Sequence, residues 1–258
     1  MENIYSIKDK VIIISGATGH LGSAICEDLS KAGAKVIVLS RSLEKAKKLC
    51  VEINISKEQA FEIDVSSNES IQECFKSIIL KFERIDILVN NVCIVNPVTF
   101  GNYTREDWQI NLDGSLVSID MMTQEVLKYM IPRKKGKIIN ISSMYGMISP
   151  DESIYESEES VNPIAYGVGK AGLIQYTKYT AMKLAKHNIN VNCISYGAFP
   201  NLENVKDEKF LSALSDKTFV KRVGLSKEAT SAVYFLSLDE SSYVTGQNIV
   251  VDGGWTSW

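Results

Sequence analysis

The chain has 258 residues, 45 % hydrophobic and 23 % charged, which is enough for one large α/β core and too little for a second full domain. A formal charge of -3, with Lys and Glu interspersed, leaves no basic field for nucleic acid or an anionic membrane. Five cysteines with no CxxC pair and only two histidines, His20 and His187, argue against a disulfide framework, any metal site and a Ser/His hydrolase. The amino terminus MENIYSIKDK is polar, and no apolar run approaches the ~18 residues of a membrane span. A cytoplasmic protein with reduced core thiols, acting on a small molecule, is the expectation.

Taken in order, Val11 to Ser15 is a short apolar run ending in glycines, the pattern of a parallel strand buried on both faces. Residues 21 to 32 place Leu21, Ile25, Leu29 and Ala32 at helical spacing, and Gly33 supplies a stop. The alternation continues with strand Lys35 to Ser40, helix 42 to 53, strand Ala60 to Val65, helix 68 to 82 and strand Ile85 to Val89. Beyond a loop at 90 to 103 come a helix from Arg105 to Tyr129, strand Gly136 to Ser142, a helix carrying Tyr166, and strand Asn190 to Ser195. An irregular polar region at 197 to 224, a helix at 226 to 238 and a last strand Asn248 to Val251 complete the chain. Such repeated strand-helix-strand units predict an α/β Rossmann fold, a doubly wound parallel sheet of about seven strands flanked by helices, in one domain spanning 1–258.

The first strand-to-helix turn reads Ser15-Gly16-Ala17-Thr18-Gly19-His20-Leu21-Gly22. Glycines three apart let backbone approach a pyrophosphate at the positive end of the following helix, so Gly16, Thr18, Gly19, His20 and Leu21 are candidate dinucleotide contacts. The second strand should end near the adenosine ribose, where an acid would hold both hydroxyls of NAD. Here the sequence is Ser40-Arg41-Ser42, with no acid, so Arg41 is expected to meet a 2′-phosphate and NADP(H) is favoured over NAD(H).

In NPIAYGVGKAGLIQYTK, Tyr166 and Lys170 stand one helical turn apart on one face. An unperturbed tyrosine titrates near pH ~10, and a cation held within a few ångström favours the phenolate, which can then exchange a proton with a substrate oxygen. Tyr179 and Lys183 repeat the spacing, but they lie on another side of the helix and read as packing or surface residues.

With these residues in view, the chain resembles the short-chain dehydrogenase/reductase family along nearly its whole length. The shared features, in order, are the glycine turn, Asp64-Val65, Asn90-Asn91, Asn111 within WQINLDG, Ser143 in NISS, Tyr166 with Lys170, NVNCISYG with Gly197, and Gly253-Gly254. The resemblance implies that Tyr166 is the acid/base and that Lys170 holds the nicotinamide ribose and favours the phenolate. It further implies that Ser143 bonds the reacting oxygen and Asn111 anchors a relay water. Asp64 and Val65 would flank the adenine, and Asn90 would line the cofactor cleft. It also implies a homotetramer or homodimer.

Several positions depart from the family pattern. His20 replaces the middle glycine and is read as an exposed loop residue of the cofactor turn; Val92-Cys93 follows the two asparagines and is read either as narrowing the cleft or, for Cys93, as packing. Tyr196 stands where a proline is usual before Gly197, which would reshape the wall near the nicotinamide. The gap between Ser143 and Tyr166 is longer than usual and holds SPDESIYESEESVNP, with Asp151, Glu152, Tyr155, Glu156, Glu158 and Glu159. This stretch reads either as an acidic solvent loop or as a pocket wall for a hydroxyl-rich substrate.

The loop and the ending VDGGWTSW resemble bacterial oxidoreductases associated with flagellin glycosylation and surface-sugar synthesis, so a sugar or sugar phosphate is the expected substrate. Residues 197–224, with Phe199, Leu202, Phe210, Leu211 and Leu214, read as a mobile substrate-side cover or as a fixed surface helix pair. Trp255 and Trp258 read as packing or subunit contact. A dinucleotide-binding protein without turnover, and a dehydratase or epimerase with a retained cofactor, stay open as alternatives.

Overall fold

The computed structural model describes residues 5–258. Seven parallel strands form one sheet in the order β3-β2-β1-β4-β5-β6-β7. The strands are β1 (Val11–Ile14), β2 (Lys35–Ser40), β3 (Ala60–Glu62), β4 (Ile87–Asn90), β5 (Gly136–Ser143), β6 (Ile189–Tyr196) and β7 (Asn248–Val251). The order turns back between β1 and β4, so a crevice opens beyond the carboxyl ends of those two strands, the place where such sheets bind ligands.

β1 and the middle of β2 are apolar on both faces because helices cover both. Ile12, Ile14, Val36 and Val38 point into one core with α1 (His20–Lys31), α2 (Leu43–Glu52) and α8 (Thr230–Ser237). Val11, Ile13, Ile37 and Leu39 point into the other, with α3 (Asn68–Phe82), α5 (Ser118–Arg133) and α6 (Ile164–Leu184). The period-2 alternation of a strand divides one apolar run between two layers, as the sequence requires.

Four expectations are corrected. The third strand ends at Glu62, not Val65, because Ser66 N–H donates to Asp64 Oδ1 (3.0 Å) and Ser67 caps α3. The helix expected at 105 to 129 is α4 (Arg105–Leu112), a π-turn at Asp113–Val117, then α5. In that turn the Gly114 carbonyl accepts from Ile94 N–H at 3.2 Å, tying the loop after β4 to the bent helix. The region at 197 to 224 is not wholly irregular, since Asp207 caps α7 (Glu208–Lys217) by accepting from Lys209 N–H and Phe210 N–H. The helix expected at 226 to 238 opens as a 3-10 turn, Ser226–Ala229, before α8.

Phe75 is fully buried beneath α3, and truncation there leaves a void that the layer on this side of the sheet cannot close. Phe75→Ala should therefore cost about 3–5 kcal/mol of stability by urea denaturation, with an unchanged m-value.

Candidate active site

Gly16 adopts φ 61° and approaches the Asn91 and Val92 backbone, and a Cβ at Gly22 would overlap the Gly16 carbonyl. Ser15 Oγ fixes the two loops by accepting from Asn91 N–H (3.1 Å) and Val92 N–H (3.2 Å), while Asn91 Nδ2 donates to the Gly16 carbonyl (3.1 Å). The result is a cleft of about 550 Å³ at the start of α1, lined by Gly16, Thr18, Gly19, His20, Leu21, Ser40, Arg41, Lys45, Val65, Asn91 and Cys93, among others.

His20 is not an exposed loop residue: Gly19 takes the cap position, so His20 opens α1, half-buried, with Nε2 buried and without a hydrogen-bond partner. Val92 and Cys93 lie on the cleft wall, the placement in which they narrow it. Arg41 and Lys45 stand at the β2 end, exposed, with no carboxylate within ion-pair distance among the described residues, and no acid lines the cleft. Lys45 was missed in the sequence because it sits one turn into α2; its i,i+4 spacing from Arg41 was the available signal.

Some expected cleft residues lie elsewhere. Asp64 is exposed in its turn beyond β3, whereas Val65 lines the cleft. The Asn90 side chain is wholly buried and donates to Asn140 Oδ1 (2.9 Å), so its neighbour Asn91 faces the cleft instead. Gly197 N–H is bonded to the Val251 carbonyl at 2.9 Å, with its Cα packed against Asp252, outside the lining of that cleft.

The second half of the site is built where α6 lies on the end of β5. Lys170 is 3 % exposed and its Nζ donates to the Ile141 carbonyl at 2.8 Å, while Ser142 Oγ donates to the Lys170 carbonyl at 2.9 Å. Gly169 allows this approach, because a Cβ there would overlap Ser115 Oγ in the π-turn. Lys170 Nζ sits 5.7 Å from the centre of the Tyr166 ring. The Lys183–Tyr179 pair is equally spaced at 5.8 Å, but Tyr179 is 59 % exposed and Lys183 lies in solvent, where water screens the charge. Burial, not spacing, separates the two pairs.

Ser143 ends β5 and is nearly buried; its Oγ accepts from Tyr145 N–H at 3.2 Å. The Asn111 carboxamide is fully engaged: Oδ1 accepts from Asn96 N–H (2.9 Å) and Nδ2 donates to the carbonyls of Asn96 (3.0 Å) and Asp107 (2.8 Å). Its own carbonyl receives Ser115 Oγ–H at 2.6 Å, at the junction of α4 with the π-turn.

The segment between Ser143 and Tyr166 is anchored at a few points, while Glu152, Glu156 and Glu159 are exposed. Ile154 is buried, Tyr155 bonds Tyr145 hydroxyl to hydroxyl at 2.8 Å and packs on Phe210 of α7, and Asp151 pairs with Lys217 at the end of α7. Burial first, then the bond to Tyr155, push the Tyr145 phenol up, so it stays neutral. Glu152 and Glu159 line a 390 Å³ cavity with Pro97, Phe100 and Ile164 at the start of α6. Tyr196 does not reach that wall: its ring is buried in the core and its hydroxyl donates to the Ala229 carbonyl at 2.5 Å. Trp255 is buried beside Tyr145 and Leu214, and Trp258 donates to the Lys217 carbonyl at 3.0 Å. Among the described residues no group of His, Cys, Asp and Glu could hold a metal ion, and no helix is long and apolar enough to cross a membrane.

A family model described as enoyl-(acyl carrier protein) reductase matches residues 16–256, which includes both halves of this site. The chain belongs to the short-chain dehydrogenase/reductase family. It is 33 % identical to 3-oxoacyl-(acyl-carrier-protein) reductase of Aquifex aeolicus over 96 % of its own length and 98 % of that protein. An NAD-dependent glycerol dehydrogenase of Listeria innocua is 29 % identical over 98 % of this chain and 96 % of its own. Among solved structures, a gluconate 5-dehydrogenase of Burkholderia cenocepacia in complex with NADP and tartrate superposes with a TM-score of 0.86 at 26 % identity, over 98 % of each chain.

This member of the short-chain dehydrogenase/reductase family is thus an NAD(P)-dependent oxidoreductase acting on CH–OH groups. The glycine cradle, the unpartnered His20 Nε2 and the two free cations fit a nicotinamide dinucleotide, its diphosphate at the start of α1.

Two outcomes follow from this geometry. Iodoacetamide should modify Cys93 before any other thiol, and bound cofactor should protect it, as peptide mass mapping will show; Cys26, Cys50, Cys74 and Cys193 are buried, and burial pushes their thiols up, Cys74 to about 12. The hydrogen bond from Lys217 first, then those within its own turn, hold Asp151 at about 2, below an unfolded carboxyl near ~3.9, so its pairing persists above that value and is lost only as pH falls toward 2. Asp151→Asn should shift Trp258 emission at neutral pH as acid alone does in the parent protein.

Proposed function

We propose that this protein is an NADP(H)-dependent oxidoreductase that interconverts a secondary alcohol and a ketone on an uncharged or amino sugar. The observation that carries the reaction is the buried Lys170 ammonium held 5.7 Å from the Tyr166 ring beside the end of β5. Bound nicotinamide supplies hydride exchange at its C4 atom. Tyr166 takes the hydroxyl proton in oxidation and returns it to the carbonyl oxygen in reduction, with the Lys170 ammonium held beside its ring. Ser143 donates a hydrogen bond to the reacting oxygen. Lys170 has two further N–H donors for the nicotinamide ribose, and a water on the Asn111 carbonyl completes proton exchange with solvent.

Arg41 and Lys45 support NADP(H), because two unpaired cations and no acid at the β2 end suit a 2′-phosphate and leave nothing to accept from a free 2′-hydroxyl. The sugar reading rests on the cavity under the insertion. Glu152 and Glu159 accept hydroxyl or ammonium donors, and a carboxylate or phosphate at that end of the substrate would meet like charge. The resemblance of this insertion to that of flagellin-glycosylation oxidoreductases points to surface-sugar synthesis in the cytoplasm. Residues 197–224 act as the substrate-side cover, tied to the insertion through Asp151 and Lys217. Ile110, Val117, Tyr179 and Met182 remain exposed on the π-turn and α6 side, apolar surface that a second copy in a homodimer or homotetramer would cover.

Tyr166→Phe should leave NADPH affinity within about twofold while kcat falls by about 10²–10⁴-fold, measured by absorbance of the reduced nicotinamide; retention of most turnover would remove Tyr166 as the acid/base. Arg41→Ala with Lys45→Ala should weaken NADPH by about 10–100-fold and leave NADH binding nearly unchanged, read by fluorescence titration. Equal losses for both cofactors would contradict the 2′-phosphate assignment. A panel of sugars, amino sugars, sugar phosphates, polyols and simple ketones, assayed with NADP(H), tests the substrate class, and turnover confined to phosphorylated sugars would overturn it.

A further inference from the structure

The opposite edge of the sheet, at the amino ends of β1, β4, β5 and β6, holds a cavity of about 890 Å³, larger than the cofactor cleft. Its walls carry Lys10, Arg84, Arg133, Lys134, Lys135 and Lys137 against the two carboxylates Asp86 and Asp239, in a chain whose formal charge is -3. The two carboxylates are already used. Asp86 takes Arg84 Nε at 2.9 Å, Arg133 Nη2 at 2.8 Å and Val11 N–H at 2.9 Å. Asp239 takes Lys10 at 2.7 Å and Lys135 at 3.5 Å.

Two cations remain without a carboxylate within ion-pair distance among the described residues: Lys134, at the exposed end of α5, and Lys137. Lys137 is 8 % exposed, and its Nζ donates to one neutral acceptor, Ser241 Oγ, at 2.9 Å. Burial first, then repulsion from Lys10, with Asp239 and Glu240 opposing and Lys135 adding, lower its ammonium to about 8, so it is still charged at neutral pH. An ammonium buried with neither a carboxylate nor full solvation is costly, and the surplus of positive charge on the surrounding walls keeps the site attractive to an anion. Tyr243 stands fully exposed on the rim, a free ring face beside the basic wall.

We infer that this cavity is a second ligand site, which binds a phosphate-bearing small molecule of at least two negative charges against Lys137 and Lys134, remote from the cofactor cleft. The shared chemistry is a diphosphate, which could be inorganic pyrophosphate or the diphosphate of a nucleotide; for a nucleotide, the Tyr243 ring would add a stacking face. The site lies beyond the opposite ends of the strands from Tyr166, so it is no part of the hydride-transfer machinery.

The test is calorimetric titration of the full chain, saturated with NADP⁺ so that the cofactor cleft is filled, using pyrophosphate in one arm and uridine diphosphate in the other. Saturable binding is expected, weakened at least about tenfold by Lys137→Met and about threefold by Lys134→Glu, with kcat unchanged within about twofold in both variants. Tyr243→Ala should weaken uridine diphosphate alone if the nucleotide is the ligand, and neither arm if pyrophosphate is. Should Lys137→Met not fold, Lys134→Glu combined with Lys135→Glu, both exposed, gives the same reading. No binding of either anion at ~10 mM, or binding that these substitutions leave unchanged, would overturn the inference.

Discussion

The Lys170 ammonium, buried against the Ile141 carbonyl, is the contact on which the active site depends. A charge taken out of water must be held by dipoles, and here the dipole belongs to the end of β5, the strand that also carries Ser143. One hydrogen bond therefore fixes the amine, the phenol one turn before it and the hydroxyl two residues beyond Ile141 as a single rigid unit. The Ser142 bond to the Lys170 carbonyl locks the same two elements from the other side. Tyr179 and Lys183 have nearly the same separation and no such anchor, and so form only a solvated surface pair.

Around this unit, the less regular parts of the chain are organised by polar contacts rather than by apolar pattern. At the π-turn the Gly114 carbonyl accepts from Ile94 N–H, and the Asn111 carboxamide clamps Asn96, so the loop after β4 is tied to the bent helix. The insertion is held to α7 by Asp151, Tyr155 and Phe210, and α7 is held to the carboxyl terminus through Trp258. Insertion, α7 and terminus thus form one connected layer over Tyr145 and Tyr166.

The strands, their parallel order and the helices that cover them were readable because apolar runs and helical stripes report burial directly. That Tyr166 and Lys170 share one helical face, and that the glycine turn comes close to the loop after β4, was readable from spacing. What escaped is the direction of single side chains. Asn90 and Asn91 are adjacent polar residues, and only the pleat decides that the first turns into the core and the second toward the cleft. Tyr196 looked like a pocket residue by position, yet a hydrogen bond to Ala229 draws it inward. His20 and Lys45 depend on where helices begin, a boundary that composition alone leaves uncertain by a residue or two. α7 was hidden because its ten residues expose most of their polar surface and bury only Leu214 fully.

The most direct test of the central claim is a crystal structure of the protein with NADP(H) and a substrate alcohol or its unreactive analogue. The account predicts Lys170 Nζ within ~3.2 Å of the nicotinamide ribose hydroxyls while still bonded to Ile141 O, and the Tyr166 and Ser143 hydroxyls converging on the substrate oxygen. A Tyr166 hydroxyl turned away from the nicotinamide, or a Lys170 ammonium beyond reach of that ribose, would contradict it.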